Sequence, residues 1–196
     1  MLYKYLKKTP LLSSLYRSTI EPRAQIKIDR ILPLLKDDHK ILDIGSGNCG
    51  VAHLLQQQGK DITCLDIRDL SFYPHIQPVV YDGQTFPFPD QSFDTAMLLT
   101  VLHHTTDHET LVQEALRVAK KLIIIEDVYF NEVMRYTTYA MDSLVNLEFF
   151  GHPHSNRAYQ EWKDWLAVRN IAIEYEEMHS VLKIFKQVTF VCKRKP

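Results

Sequence analysis

The stretch ILDIGSGNCGVA, residues 41–52, limits what this chain can fold into more than any other. Only six glycines occur in 196 residues, and three of them, Gly45, Gly47 and Gly50, stand within six consecutive positions. Glycine costs backbone entropy, so a chain this sparing with it should place it where a side chain cannot fit. KILDI is a short apolar run that ends at the first glycine and reads as a strand. VAHLLQQQG is a brief helical pattern closed by Gly59. A strand that passes through Gly-x-Gly-x-x-Gly into a helix offers a ligand unpaired N–H groups and close backbone approach.

The same alternation continues downstream. DITCLDI, IQPVVYD, SFDTAMLLTVL and KKLIIIED read as strands two to five, with ETLVQEALRVA as a helix before the fifth. LIII is continuously apolar, as expected of a strand covered on both faces. Beyond residue 128 the pattern changes to one rich in aromatics and methionine. SNRAYQEWKDWLAVRN then reads as a helix with Ser155 as its N-cap. IAIEYEEM and FKQVTFVCKRK are two further strands whose connection is too short for a parallel crossover, so they should be antiparallel.

Ahead of the first strand, Ile28, Ile31, Leu32 and Leu35 recur at helical spacing, while Pro10 should interrupt the basic, partly apolar N-terminus. The expected fold is α/β: a Rossmann-like, mostly parallel seven-stranded sheet with helices on both faces and an antiparallel last strand. The chain reads as one domain, 1–196, with an N-terminal helical arm at 1–36 and an insertion at 128–154 that covers a substrate.

Charge narrows the partners. Residues 1–30 and 183–196 each carry +5, and residues 31–182 carry −11. An acidic body with basic ends is a poor footprint for nucleic acid and suits a small molecule better. Cys49, Cys64 and Cys192 are odd in number and far apart, which points to a reducing, cytoplasmic setting rather than a disulfide framework. No apolar run approaches the ~20 residues of a membrane span. Interleaved Leu, Tyr and Lys at the N-terminus leave a peripheral membrane contact open. Oligomeric state is not legible.

Asp43 sharpens the reading of the glycines. A carboxylate two residues before the first glycine would repel a pyrophosphate and suit a ligand carrying an amino group and a sulfonium. At this point ILDIGSG resembles motif I of the class I S-adenosylmethionine-dependent methyltransferases. The second strand ends in Asp66, and YDGQTFPFPDQSFD resembles the family's D-G-x-x-L-P-F-x-D-x-S-F-D block. The small-molecule subfamily that includes quinone-biosynthesis enzymes is the most similar.

The resemblance implies S-adenosylmethionine as cofactor, held by Asp43, Gly45, Ser46 and Gly47, with Asp66 on the ribose hydroxyls, Ile67 beside it, and Asp82 and Gly83 bordering the adenine. Leu99 and the segment to His104 would line the methionine end. It further implies methyl transfer to a small-molecule acceptor, an aromatic or apolar one suiting the insertion. A cofactor-binding but non-catalytic protein and an NAD(P)-dependent Rossmann oxidoreductase remain open. The Asn/Asp-Pro-Pro-Tyr motif of base and glutamine methyltransferases is replaced by TVLHHT.

His103 and His104 are the candidate general bases, since an unperturbed imidazole titrates near pH ~6.5. Asp107 and His108 should begin the next helix, and no metal is expected, because no carboxylate or cysteine completes a set with these histidines. Tyr136, Tyr139, His152 and His154 are the candidate acceptor-binding residues. Glu126 and Asp127, at the end of strand five, could orient an acceptor or cap a helix.

Overall fold

The structure, a computed structural model, describes residues 7, 9–137, 156–181 and 185–195. The chain packs as two compact units, Met1–Met97 with Arg117–Lys120, and Leu98–Leu116 with Lys121–Pro196.

The first unit opens with helix α1, Pro10–Ile31. Pro10 starts this helix instead of breaking the segment. Thr9 is the N-cap, its carbonyl accepts the Ser13 N–H at 2.9 Å, and proline in the first turn gives up an N–H that has no helical partner anyway. Ile20, Ala24, Ile28 and Ile31 are buried at intervals of three and four, so one face of α1 packs inward along its second half. A 3₁₀ turn, Leu32–Leu35, adds the buried Leu35.

Strand β1 (Lys40–Ile44), helix α2 (Gly50–Gln57), strand β2 (Asp61–Asp66), the two-residue strand β3 (Val79–Val80) and strand β4 (Phe93–Leu99) follow. β1 pairs in parallel with β2 from Lys40↔Asp61 to Ile44↔Leu65. β2 pairs in parallel with β3 only at Leu65↔Val79 and Asp66↔Val80. This pairing brings the carboxyl ends of β1 and β2 level, which is where the glycine loop leaves the sheet.

The second unit contains a 3₁₀ turn (Leu102–His104), most of helix α3 (His108–Val118) and of strand β5 (Ala119–Val128), helix α4 (Tyr159–Val168), and strands β6 (Ile171–Val181) and β7 (Phe185–Arg194). β7 runs antiparallel to both β5 and β6. Asp107 caps α3, its Oδ1 accepting the Thr110 N–H at 3.0 Å. Helix α4 starts later than the sequence suggests: its N-cap is Ala158, whose N–H is satisfied by Glu161 Oε2 at 2.7 Å, and not Ser155, which lies outside the described residues.

The seven strands form one sheet in the order β3-β2-β1-β4-β5-β7-β6. It is the mostly parallel, Rossmann-like sheet with an antiparallel last strand, β7, that the sequence implied. Leu122 to Ile125 of β5 are all buried, as the LIII run required.

Candidate active site

The glycine loop after β1 is fastened to β2 by backbone and side-chain hydrogen bonds. Gly45 and Ser46 N–H donate to the Leu65 carbonyl at 2.8 and 3.3 Å, and Gly47 N–H donates to Asp66 Oδ2 at 2.9 Å. The other oxygen of Asp66 accepts the Arg68 N–H at 3.1 Å. One carboxylate therefore pins the loop on one side and its own strand end on the other. Gly45 and Gly47 have φ of +67° and +50°, which accounts for two of the three glycines. A Cβ added at Gly47 would meet nothing nearer than the Gly45 carbonyl at 3.9 Å, so the space beside that backbone is open.

Gly50 has another purpose. A Cβ there would run into Ile20 Cγ2, so the third glycine lets α2 pack on α1.

Asp43, behind the loop, is buried, and no hydrogen bond reaches its carboxyl among the described residues. Burial pushes its pKa up to about 7, with Lys27 opposing and Asp66 adding to the rise. A cation brought near it would favour the ionised form.

Ile67, just past β2, is 54% exposed. Gly83 (φ +84°) stands beside it, the position of an added Cβ being 3.6 Å from Ile67 Cγ2. Asp82 Oδ1 accepts the Gln84 and Thr85 N–H groups at 2.8 and 3.1 Å, forming the turn that presents Gly83. Within the first unit, Asp43, Gly45, Ser46, Gly47, Asp66, Ile67, Asp82 and Gly83 are therefore gathered around the carboxyl ends of β1, β2 and β3.

In the second unit the organising residue is Glu126, 1% exposed on β5. Its Oε1 accepts the Val101 and Leu102 N–H groups at 2.9 and 2.7 Å, and its Oε2 lies 2.7 Å from His103 Nδ1. This carboxylate shapes the turn that follows β4 and fixes the His103 ring. Thr100, between Leu99 and that turn, has φ +63°, a conformation costly for a β-branched residue.

His103 is buried with Glu126, whereas His104 is exposed and lies with its ring centroid 4.1 Å from that of His103. Of the two candidate bases, His104 alone presents its side chain to solvent. His108 opens α3. Burial, and next the Arg157 cation, push its pKa down. Leu99 is buried at the end of β4. Tyr136 is 65% exposed within the helical residues 132–137. Tyr139, His152 and His154 lie outside the described residues. Among the described residues no group of three His, Cys, Asp or Glu is placed to hold a metal ion, and no helix is long and apolar enough to cross a membrane.

Sequence reasoning gave Glu126 no definite role. The signal was present in LIIIED, where a glutamate continues a buried run and must have partners.

These features define the Rossmann-like fold used by methyltransferases. Residues 42–124 match the family model described as a methyltransferase domain. None of the curated protein sequences matches the chain. Among solved structures, magnesium protoporphyrin IX methyltransferase from Synechocystis, with bound S-adenosylhomocysteine, is similar at TM-score 0.63 and 15% identity, over 98% of each chain. A SAM-dependent methyltransferase from Methanosarcina mazei is similar at TM-score 0.62 and 20% identity, over 82% of this chain and 94% of that one. The [4+2]-cyclase SpnF is similar at TM-score 0.60 and 12% identity, over 89% and 80%. The last shows the same fold in a protein described by a different reaction, so the fold is common ground and the chemistry must be argued from residues.

Proposed function

We propose that this chain transfers a methyl group from S-adenosylmethionine to a small-molecule acceptor. The observation that carries the reading is the Asp43–Gly47–Asp66 arrangement: a buried carboxyl lacking a hydrogen bond, an open glycine backbone, and a second carboxylate already bonded to the loop. These residues fit an adenosyl-sulfonium ligand. Asp66 has lone pairs left for ribose hydroxyls, exposed Ile67 beside Gly83 offers an apolar surface to an adenine, and Asp43 favours a cationic end over a pyrophosphate.

Bound S-adenosylmethionine supplies a methyl group already activated by the positive sulfur. The protein's share is to orient the partners and exclude water, which suffices for much of the rate of an in-line transfer. From the second unit, Leu99 and the turn after it belong to the same proposal. His104 takes a proton from acceptors that must lose one, and His103, clamped by Glu126, positions the His104 ring through their contact. Tyr136 is assigned to the acceptor side.

Calorimetric titration with S-adenosylmethionine, S-adenosylhomocysteine and NAD tests the reading. Both adenosyl ligands should bind saturably, and Asp66→Ala should weaken them at least ~100-fold, equal to about 2.7 kcal/mol. Binding of NAD in their place, or of none of the three, would overturn it in favour of the oxidoreductase or a non-catalytic protein.

A further inference from the structure

We propose that Asn156 and Arg157 form an anion pocket that takes a carboxylate of the methyl acceptor. The word acceptor rests on the methyl-transfer reading; the pocket itself rests on the geometry that follows.

Arg157 stacks over two tryptophans, its guanidinium carbon 5.4 Å from the Trp162 ring centroid and 5.8 Å from that of Trp165. Its Nη2 stands 3.3 Å from His108 Nδ1. No carboxylate of the described residues lies within ion-pair distance of it. Arg169 provides the internal contrast: it too lies over Trp165, at 4.2 Å, but its Nη2 reaches Glu109 Oε2 at 2.9 Å. Of two arginines packed on the same indole, one has its carboxylate and the other lacks one among the described residues.

The neighbouring polar atoms repeat the deficit. Asn156 is 6% exposed, and neither its Oδ1 nor its Nδ2 has a hydrogen-bond partner among the described residues. Arg157 Nε and Trp162 Nε1 are likewise buried without acceptors among the described residues. Three kinds of N–H donor in one small region are thus unmatched, and a carboxylate is an acceptor-only group. Buried donors and half-buried cations are ordinarily paired, so a cluster that is not paired internally points to a partner from outside.

Position supports a ligand over a packing accident. Ala158 bridges to Tyr129, immediately beyond the carboxyl end of β5, and His108 opens the helix that follows β4. In open α/β sheets ligands bind at the carboxyl ends of strands. Arg157 brings one positive charge, and burial together with that charge holds His108 toward the neutral form, so the pocket matches a singly charged carboxylate better than a phosphate dianion.

The chain's two tryptophans both flank Arg157, so intrinsic fluorescence reports on this place. The full-length protein is titrated with benzoate, with uncharged benzamide, and with inorganic phosphate. Benzoate should change the emission saturably, and benzamide should bind at least ~10-fold more weakly. Arg157→Gln should lose at least ~10-fold in benzoate affinity, Arg157→Lys should lose less because it keeps the charge, and Asn156→Ala should lose several-fold.

Absence of a saturable benzoate response, equal binding of benzamide, or unchanged affinity in a folded Arg157→Gln would overturn the pocket. Should that variant fail to fold, Asn156→Ala decides, unchanged affinity again overturning it. Phosphate binding as tightly as benzoate would overturn the carboxylate assignment. S-adenosylhomocysteine titrated into the same samples keeps the two ideas apart. Benzoate binding without the adenosyl ligand sinks the methyl-transfer reading and leaves the pocket, and the reverse sinks the pocket alone.

Discussion

Two buried carboxyl groups, one in each unit, are handled in opposite ways. Glu126 is surrounded by donors: two backbone N–H groups and the His103 ring, all within 2.9 Å. Asp43 is buried with none among the described residues, and burial, with Lys27 opposing and Asp66 adding, raises its pKa to about 7. The first arrangement is structural, because every lone pair with a partner makes the turn after β4 more rigid. The second leaves a cost standing in the folded state, and such costs collect where a ligand is to relieve them. The contrast teaches which buried acid builds the fold and which is held in readiness.

The largest expected effect breaks the first arrangement. Glu126→Ala removes three hydrogen bonds and strands two backbone donors beside buried apolar side chains, at about 3–5 kcal/mol of folding stability in a denaturant titration. Glu126→Gln keeps an acceptor for the turn and should cost roughly 1–2 kcal/mol. A cost below ~1 kcal/mol for the alanine variant would mean that Glu126 does not shape this turn.

The second effect concerns Asp43 and its sign. The folded-state pKa is raised above the ordinary ~3.9 of an unfolded aspartate, so folding favours the protonated form. Stability from this group is complete below pH ~4 and is lost as pH rises to about 7, at roughly 1.4 kcal/mol per pH unit where the slope is steepest. Asp43→Asn should flatten that slope and leave the variant more stable than the parent above pH 7, while weakening S-adenosylmethionine binding. In the parent, binding near pH 7 should release a proton, seen as a dependence of the calorimetric enthalpy on buffer ionisation heat. An unchanged slope in the variant would show that Asp43 is ionised in the folded protein throughout this range.

The smallest effect separates the glycines. Gly50→Ala forces a methyl onto Ile20 and should cost about 1–2 kcal/mol, less in an Ile20→Ala background, with S-adenosylhomocysteine affinity within twofold of the parent. Equal loss of affinity and stability would make Gly50 part of the ligand site as well.

Much of this was legible because it is local. KILDI coincides with β1, and LIII is buried throughout, since a strand covered on both faces leaves its mark in consecutive residues. The turn between β1 and α2 was marked by the spacing of its glycines along the chain. What escaped depends on distant partners. Pro10 reads as a breaker until Thr9 is seen capping a helix around it. Gly50 looks like its two neighbours until Ile20, thirty residues earlier, is placed against it. Glu126 and His103, twenty-three residues apart, carry no mutual signal in either segment. The start of α4 was misplaced because Ser155 is a better cap by type than Ala158, whereas Glu161 supplies the bond from inside the helix.

Asp66 has one further consequence. Because its carboxylate already holds the Gly47 N–H, the glycine loop is set at the moment of folding. A ligand arriving there meets a backbone with little left to order, so its association is governed by diffusion and the shedding of water, and differences in affinity among adenosyl compounds fall mainly on how slowly each one leaves.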